Sequence, residues 1–530
     1  MKSKKVSLLN TIVFIIIGSM VVCGAETANA NKKCANTKVD YLNLVRSYAD
    51  AMIEHGRDVY GPDKTPLFAV ALDRKNMKLV EKLEKTQGIR SVDRHLKCAN
   101  PMVDQNLYQV LYALTEVTGE KRYAQEADKT LKWFFEHCQS PATGLMAWGD
   151  HIGWDIEREA PGPLYKVKKG KNKGTVGLAP HELSRPWVLW ERSNILAPKA
   201  CATFARGLWD NQIHEHSGDF SRHAGWAKPA TSGGSNYPRH SGFYIAAWAD
   251  AYSRSKDPIF LEAIEVVVDF IESRRNLITG ALPCQSGEDS PGEKKRTKKA
   301  LQGEIPNNSV PMLPRTKIVW PQSELSLAVD LWDAAKMVPE PLARKMRFCA
   351  SKTDHVFLRI KHDLSPNGPG FMCGVNADTL EPLTGGKWTH TLTWDKNTDA
   401  QAAMLCYLRY CQVGLEGYKK LILDSAARYL VSEPDAEAMI FPGKVGNAIF
   451  LMVVAHELSG DAKYLKRADY FADKATEMFF DADSPLPKAT SIHQHYEAVT
   501  RCDTLMMSLL RLWEAHNQPD KKLSLVYNDR

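Results

Sequence analysis

The stretch GGSNYPRHSGFYIAAWADAY, residues 233–252, holds an amide, a guanidinium, an imidazole and a phenol within nine positions. Pro238 suits the first turn of a helix, where no amide donor is needed. His240 and Tyr244 are four apart and share a helical face, with Arg239 beside them and Asn236 just before. A helix start carries positive partial charge and favours anions. Together these groups can hold a carboxylate and move a proton.

Such a set fits one reaction on acidic polysaccharides. In β-elimination a base removes the C5 proton of a uronic acid and the bond to O4 breaks. The enolate-like anion is tolerable only if the carboxylate is neutralised by preorganised donors. A Tyr or His can act as base, and a Tyr can protonate the leaving oxygen. No carboxylate pair is required.

Further polar and aromatic residues stand where loops are expected. Trp148, Trp154 and Trp226 offer flat faces for sugar rings. His151, His181, His223, His390, His493 and His495 fall in loops or at helix starts, with Arg222 beside His223 and Tyr496 beside His495. His214-x-His216 and His493-x-His495 place imidazole pairs close together, but no metal is expected to do the chemistry. His181-Glu182 opens like a zinc-protease motif, yet position 185 is Arg, so the second His is missing. The chain has no G-x-S-x-G elbow and no glycine-rich nucleotide fingerprint, so neither a nucleotide cofactor nor any other cofactor is expected.

The elements that carry these residues read as helices. Apolar residues recur at three-and-four spacing over 107–117, 124–135, 200–208, 243–252, 261–271, 325–335, 400–411, 418–430, 446–458, 464–478 and 497–513. Several of these form a weak repeat: helix, short polar turn, then an aromatic (Tyr123, Phe260, Tyr418, Tyr464) opening a second helix. A lone hairpin cannot bury both faces, but six or seven can close into a ring. The expected fold is therefore all-α, an (α/α)6–7 toroid filling residues 31–530 as a single domain.

Residues 1–30 read as a secretory signal: basic MKSKK, an apolar run, and Ala28-Asn29-Ala30 as the cleavage site. Export to the periplasm or medium follows, and no later stretch is apolar enough to span a membrane. The net charge is +7. Its two densest clusters are KVKKGKNK (166–173) and KKRTKK (294–299), which suit solvated loop tips or capture of a polyanion, not a nucleic-acid motif. Eleven scattered Cys with no C-x-x-C pair exclude a zinc ribbon and a disulfide scaffold; a Cys34–Cys98 bridge is one pairing open to the N-terminal arm.

The blocks GTVGLAPHELSRPWVLWER, GDFSRHAGW and GGSNYPRHSGFYIAAW, set among helix hairpins, resemble the α/α-toroid polysaccharide lyases, most of all those acting on glucuronan and alginate. The resemblance implies that Asn236, Arg239, His240 and His181 neutralise the substrate carboxylate and that Tyr244 serves as proton donor or base. His495-Tyr496 in a late loop departs from that pattern and leaves the catalytic Tyr open between Tyr244 and Tyr496. The rival expectations are a glycoside hydrolase on the same ring, using loop residues such as Asp150, Asp155, Asp219 or Asp395, and a glycan-binding protein without turnover.

Overall fold

Helices start and stop here for local reasons that also set the architecture. The computed structural model describes residues 40–529, except 167–172, 175, 179–181, 184, 224, 231–232, 234–236, 288–293, 295–297, 299–312, 384–387, 390, 392–397 and 436, and without the side chains of 237 and 239. Among the described residues there are fourteen α-helices. In order they are α1 (Tyr41–His55), α2 (Gln105–Thr118), α3 (Arg122–His137), α4 (Trp190–Leu196), α5 (Pro198–Gln212), α6 (Tyr237–Ser255) and α7 (Pro258–Ser273). Then come α8 (Pro321–Ala334), α9 (Glu340–Arg359), α10 (Asp399–Val413), α11 (Glu416–Tyr429), α12 (Pro442–Ser459), α13 (Ala462–Phe479) and α14 (Cys502–Asn517).

Two kinds of helix alternate. In α12 every residue from Pro442 to Ala455 is buried, as expected of a helix enclosed on all sides. Its successor α13 buries one stripe, Tyr464, Ala468, Phe471, Ala472, Ala475 and Phe479, and exposes the rest. The turn between them is tight because Gly460 takes a left-handed conformation and Asp461 caps the next helix by accepting from the Lys463 amide. Gly119 ends α2 in the same way, and Lys256, also left-handed, ends α6. The aromatic residues that open each second helix, Tyr123, Phe260, Tyr418 and Tyr464, are all buried.

The enclosed helices form a closed ring. α6 packs on α8, α8 on α10, α10 on α12, α12 on α14, and α14 returns to α2. The short α4 touches α3, α5 and α6 between the ring's first and third turns. Counting α4 with α5, and α14 with α1, seven hairpins complete an all-α toroid. Residues 40–530 form one compact unit. None of the described helices is long and apolar enough to cross a membrane.

The alternation has a directional consequence. Inner helices all run the same way, so their N-termini share one rim. Inner-to-outer turns are short, whereas the outer-to-inner connections 56–104, 138–189, 213–236, 274–320, 360–398, 430–441 and 480–501 are long. Loop chemistry is thereby gathered at one end of the ring. Short antiparallel strands tie it down: β1 (Ala71–Leu72) pairs with β5 (Tyr496–Glu497), and β2 (Cys98–Ala99), β3 (Gly153–Asp155) and β4 (Ala160–Gly162) make a three-stranded sheet. The chain end is bound in as well. Arg185 donates to Asn528 Oδ1 at 3.0 Å and to Asp529 Oδ1 at 2.9 Å, all three residues being buried.

Several expectations need correcting. The last helix begins at Cys502, not at 497, because Glu497 is in β5 and Arg501 adopts a left-handed conformation just before the helix. Helices α1, α4 and α9 lack an expected counterpart. In α9 the polar run EPLARKMRFCASKTDHVFLR hides a buried stripe that includes Leu342, Met346, Cys349 and Phe357. Cys98 is a buried free thiol, so it does not bridge to Cys34, which lies outside the described residues. The segment 1–30 and most of both basic clusters also lie outside them.

Burial alone makes one ionisable residue a pH sensor of stability. Glu324 in α8 is buried, and its Oε1 accepts from the Leu282 amide at 2.6 Å. Burial raises its pKa to about 8, against a smaller lowering by Arg275. Folding therefore takes up a proton between the ordinary carboxyl value and about 8, and stability falls as pH rises through that window. Glu324→Gln is expected to gain thermal stability relative to the parent as pH rises from 5 to 8.5. Parallel, unchanging melting temperatures across that range would show that Glu324 titrates normally.

Candidate active site around Glu182

The site is assembled from four loop segments and one helix start. The first is the turn 90–100. Its 3₁₀ turn Ser91–Arg94 is followed by His95 and Lys97, both left-handed, before β2 begins. The sharp reversal sends successive side chains apart. Asp93 Oδ1 lies 2.7 Å from His151 Nδ1. Arg94 turns to Glu497, with Nε 2.7 Å from Oε1.

The second segment, 143–155, is held by the buried Asn100. Its Nδ2 donates to Gly149 O at 2.8 Å and Ile152 O at 3.1 Å, bracketing His151. The third segment carries Glu182, whose carbonyl accepts from the Asp150 amide at 3.0 Å. Three residues later Arg185 donates to Met102 O and Val103 O as well as to the chain end. The fourth segment is fixed by Gln212, whose Nε2 donates to Ser221 O at 2.6 Å, which sets the start of Arg222-His223.

These segments meet at one carboxylate. Glu182 Oε1 is 3.3 Å from His223 Nε2, 3.4 Å from Arg222 Nε and 3.6 Å from His151 Nε2. Its Oε2 is 3.7 Å from His240 Nε2, in the first turn of α6. Glu182 is buried (4% exposed) and His240 wholly so, whereas the side chains of Arg222 and His223 are 36% and 40% exposed. The cluster thus has a sealed floor and an open, cationic mouth. Burial would lower the His151 pKa, but its bonds to Asp93 and Glu182 outweigh that and raise it to about 9. Burial works to raise Asp93, but His151 and Arg90 hold it below the usual carboxyl range. His95, buried nearby, is pushed down to about 4 by desolvation.

His151, Glu182 and His223 are also the residues best suited to hold a divalent metal. They are the imidazole and carboxylate ligands that borderline metals take. Their separations of 3.3 and 3.6 Å approach those between neighbouring ligands of an ion with bonds near 2.1 Å. His151 further shows the carboxylate-backed Nδ1 usual in metal-binding imidazoles. Among the described residues no group of three or more His, Cys, Asp or Glu has the spacing of a preformed cage.

The expected site residues divide into three groups. His151, Arg222, His223 and His240 converge on Glu182. Tyr244 lies one turn behind His240, fully enclosed by Phe220, Phe243 and Trp248, and its hydroxyl has no hydrogen-bond partner among the described residues. Burial, reinforced by Glu182, drives its pKa far up, so it is a neutral packed phenol and not an exposed base. Trp148 is likewise enclosed, ringed by Phe134, Phe135, Trp187 and Phe204 at 5.0–5.7 Å, and offers no face to a sugar.

Trp154 in β3 and Trp226 are half-buried; Trp154 pairs with Ala99 and Pro161 across the small sheet, and the Trp226 carbonyl accepts from Thr143. His495 bonds Glu497 at 2.9 Å, and the buried Tyr496 bonds Tyr48 at 3.1 Å, in a neighbouring network. His181, Asn236, His390, Trp394 and Asp395 lie outside the described residues, as does the Arg239 side chain. Sequence reasoning missed Glu182, Asp93 and Asn100 as members of this cluster; the signal for Glu182 was its place beside His181 in an incomplete zinc motif.

The family model for periplasmic pectate lyase matches residues 65–283, a span that contains every residue of the Glu182 cluster. Among solved structures, a cellobiose 2-epimerase from Bacillus thermoamylovorans B4167 is similar at 12% identity and a TM-score of 0.45, over 89% of this chain and 99% of that one. An unsaturated glucuronyl hydrolase specific for heparin is similar at 10% identity and 0.43, over 91% and 100%. A GH76 α-mannanase from Bacteroides thetaiotaomicron is similar at 9% identity and 0.44, over 92% and 98%. The matched span and the cluster it encloses make this chain similar, in its first half, to the periplasmic pectate lyases.

Proposed function

We propose that this protein is an exported polysaccharide lyase that cleaves a uronic-acid polymer by β-elimination, with pectate as the first polymer and glucuronan and alginate as the next. The observation that carries the reading is the shared contact of Arg222, His223, His151 and His240 with Glu182. A uronate carboxylate entering the open mouth meets Arg222 and His223. The proton acceptor for C5 belongs to that exposed pair, because His240 and Tyr244 are sealed beneath it. Glu182 and His151 fix the pair's position and charge, and His240 braces Glu182. Asn236, Arg239 and His181 stay in the proposal as neighbours in sequence of this same floor, with roles in holding the carboxylate.

A hydrolase reading is less well supported. It needs a carboxyl able to donate a proton and usually a second carboxylate at a set distance. Asp93 is taken up by His151 and Arg90, and Asp155 by Arg158 and the amides of 157 and 158.

The test is near-ultraviolet absorbance of the unsaturated product on polygalacturonate, glucuronan and alginate separately. A rise on one of them is expected; new reducing ends without a rise would move the protein to the hydrolases. In the same assay Tyr244→Phe is expected to keep activity within about threefold, since it removes a hydroxyl with no described partner. A loss beyond about 100-fold would return Tyr244 to the chemistry. Activity is expected to fall on dialysis against a chelator and to return with a divalent cation. Indifference to both would leave the guanidinium and imidazole groups as the neutralising charges.

A further inference from the structure

We propose that Arg90 is a second carboxylate-binding point, gripping the uronate next to the one that reacts. The inference rests on the lyase reading above and adds a residue that lies outside the contact shell of Glu182. Arg90 is the most exposed charged group of the cluster, with 66% of its side chain open to solvent. It is nonetheless held. Its Nε donates to Asp93 Oδ2 at 2.7 Å and its Nη2 to Asp93 Oδ1 at 3.0 Å, a bidentate clasp. Nη2 is also 3.2 Å from His151 Nε2.

Three features distinguish it from an ordinary surface pair. An exposed Arg–Asp pair three residues apart contributes little to stability, so stability does not account for so well-made a clasp. The clasp uses one edge of the guanidinium fork and leaves the Nη1 hydrogens without a partner among the described residues, pointed away from Asp93 by the planarity of the group. Finally, Arg90 Nη2 and Glu182 Oε1 both approach His151 Nε2, at 3.2 and 3.6 Å. Arg222 and His223 meet the same Glu182 Oε1 at 3.4 and 3.3 Å. Two guanidinium groups, Arg90 and Arg222, are therefore linked through His151 and Glu182.

That arrangement selects a chemistry. A polyuronate presents a carboxylate on each successive sugar, and a preoriented guanidinium binds carboxylate with paired, charge-assisted hydrogen bonds. A neutral or esterified neighbour offers no such partner. Arg90 thus serves binding of the chain and preference for a free acid at the adjacent position, not the bond-breaking step.

The experiment compares the full-length protein with Arg90→Gln and Arg90→Lys on long polygalacturonate and on the shortest oligomer cleaved. Arg90→Gln is expected to raise KM on the polymer about tenfold, the loss of one charge-assisted contact, with kcat within twofold. Its effect should be smaller on polymer with a high degree of methyl esterification. Arg90→Lys, which keeps the charge without the fork, should fall between. Unchanged KM on the polymer overturns the proposal. A fall in kcat at constant KM overturns it too, since Arg90 would then act by orienting Asp93 and His151. Calorimetric titration with saturated oligogalacturonates separates the two readings. A weaker Kd for Arg90→Gln in a protein that forms no unsaturated product keeps the binding point and sinks the lyase reading; equal Kd values with normal turnover do the reverse.

Discussion

Glu182→Ala is expected to lower kcat/KM on the preferred polyuronate by at least about 100-fold, the scale seen when a preorganised electrostatic group is removed from an active site. The reason is positional. One buried carboxylate is the common neighbour of two partly exposed groups, Arg222 and His223, and two buried imidazoles, His151 and His240. Without it Arg222 and the three imidazoles lose the one carboxylate they share, and they move apart. The backbone bond from the Asp150 amide to the Glu182 carbonyl survives the substitution, so the loop keeps its path and far-ultraviolet circular dichroism should be unchanged. Glu182→Gln keeps the shape but not the charge and should fall nearly as far. If either variant retains activity within fivefold of the parent, the reaction takes place elsewhere on the rim.

The largest effect on stability is expected at Arg409→Met. Arg409 in α10 is wholly buried, and its Nε and Nη2 bind Asp354 Oδ1 and Oδ2 at 2.7 and 2.6 Å. Tyr418 donates to the same Asp354 Oδ1 at 2.7 Å, and the guanidinium lies over Trp332 at 4.5 Å. Removing the cation leaves Asp354 charged, 5% exposed and answered only by a phenol among these neighbours. Breaking one side of such a pair costs about 3–5 kcal/mol, whereas replacing both sides by apolar groups is often near neutral. Arg409→Met should lower the urea midpoint strongly, and Arg409→Met with Asp354→Leu should recover most of it. Equal midpoints for the single and double variants would show that the pair is not coupled. Helices α9, α10 and α11 supply no residue to the Glu182 cluster, so kcat of the folded single variant should match the parent.

Much of the architecture is legible in local pattern. The hairpin repeat announced by Tyr123, Phe260, Tyr418 and Tyr464 is real because a tight turn needs a left-handed residue and the next helix needs an aromatic to seal it, both local demands. Helix α9 was illegible for a converse reason. An outer helix needs only one apolar stripe, and in a Lys- and Arg-rich segment that stripe is diluted below recognition. The site shows the same division. Of the run from Asn236 to Tyr244, His240 reaches the Glu182 cluster. Tyr244, four residues on and on the same face, is buried, because the face that points to the floor at His240 points into aromatic packing one turn later.

By itself the sequence determined the helix hairpins and their number to within one, since periodicity and turn residues are properties of short stretches. Only the tertiary structure decided which of those residues meet. Asp93, His151, Glu182 and Arg222 lie in four separate loops, and no spacing in the chain encodes their approach. It follows from parallel inner helices that deliver long connections to one rim, and from buried anchors such as Asn100 and Arg185 that hold those connections together. A carboxylate hidden in a failed zinc motif became the centre of the site because it is the one placed where those loops converge, and contact at 3–4 Å, unlike helical propensity, is set by the whole fold.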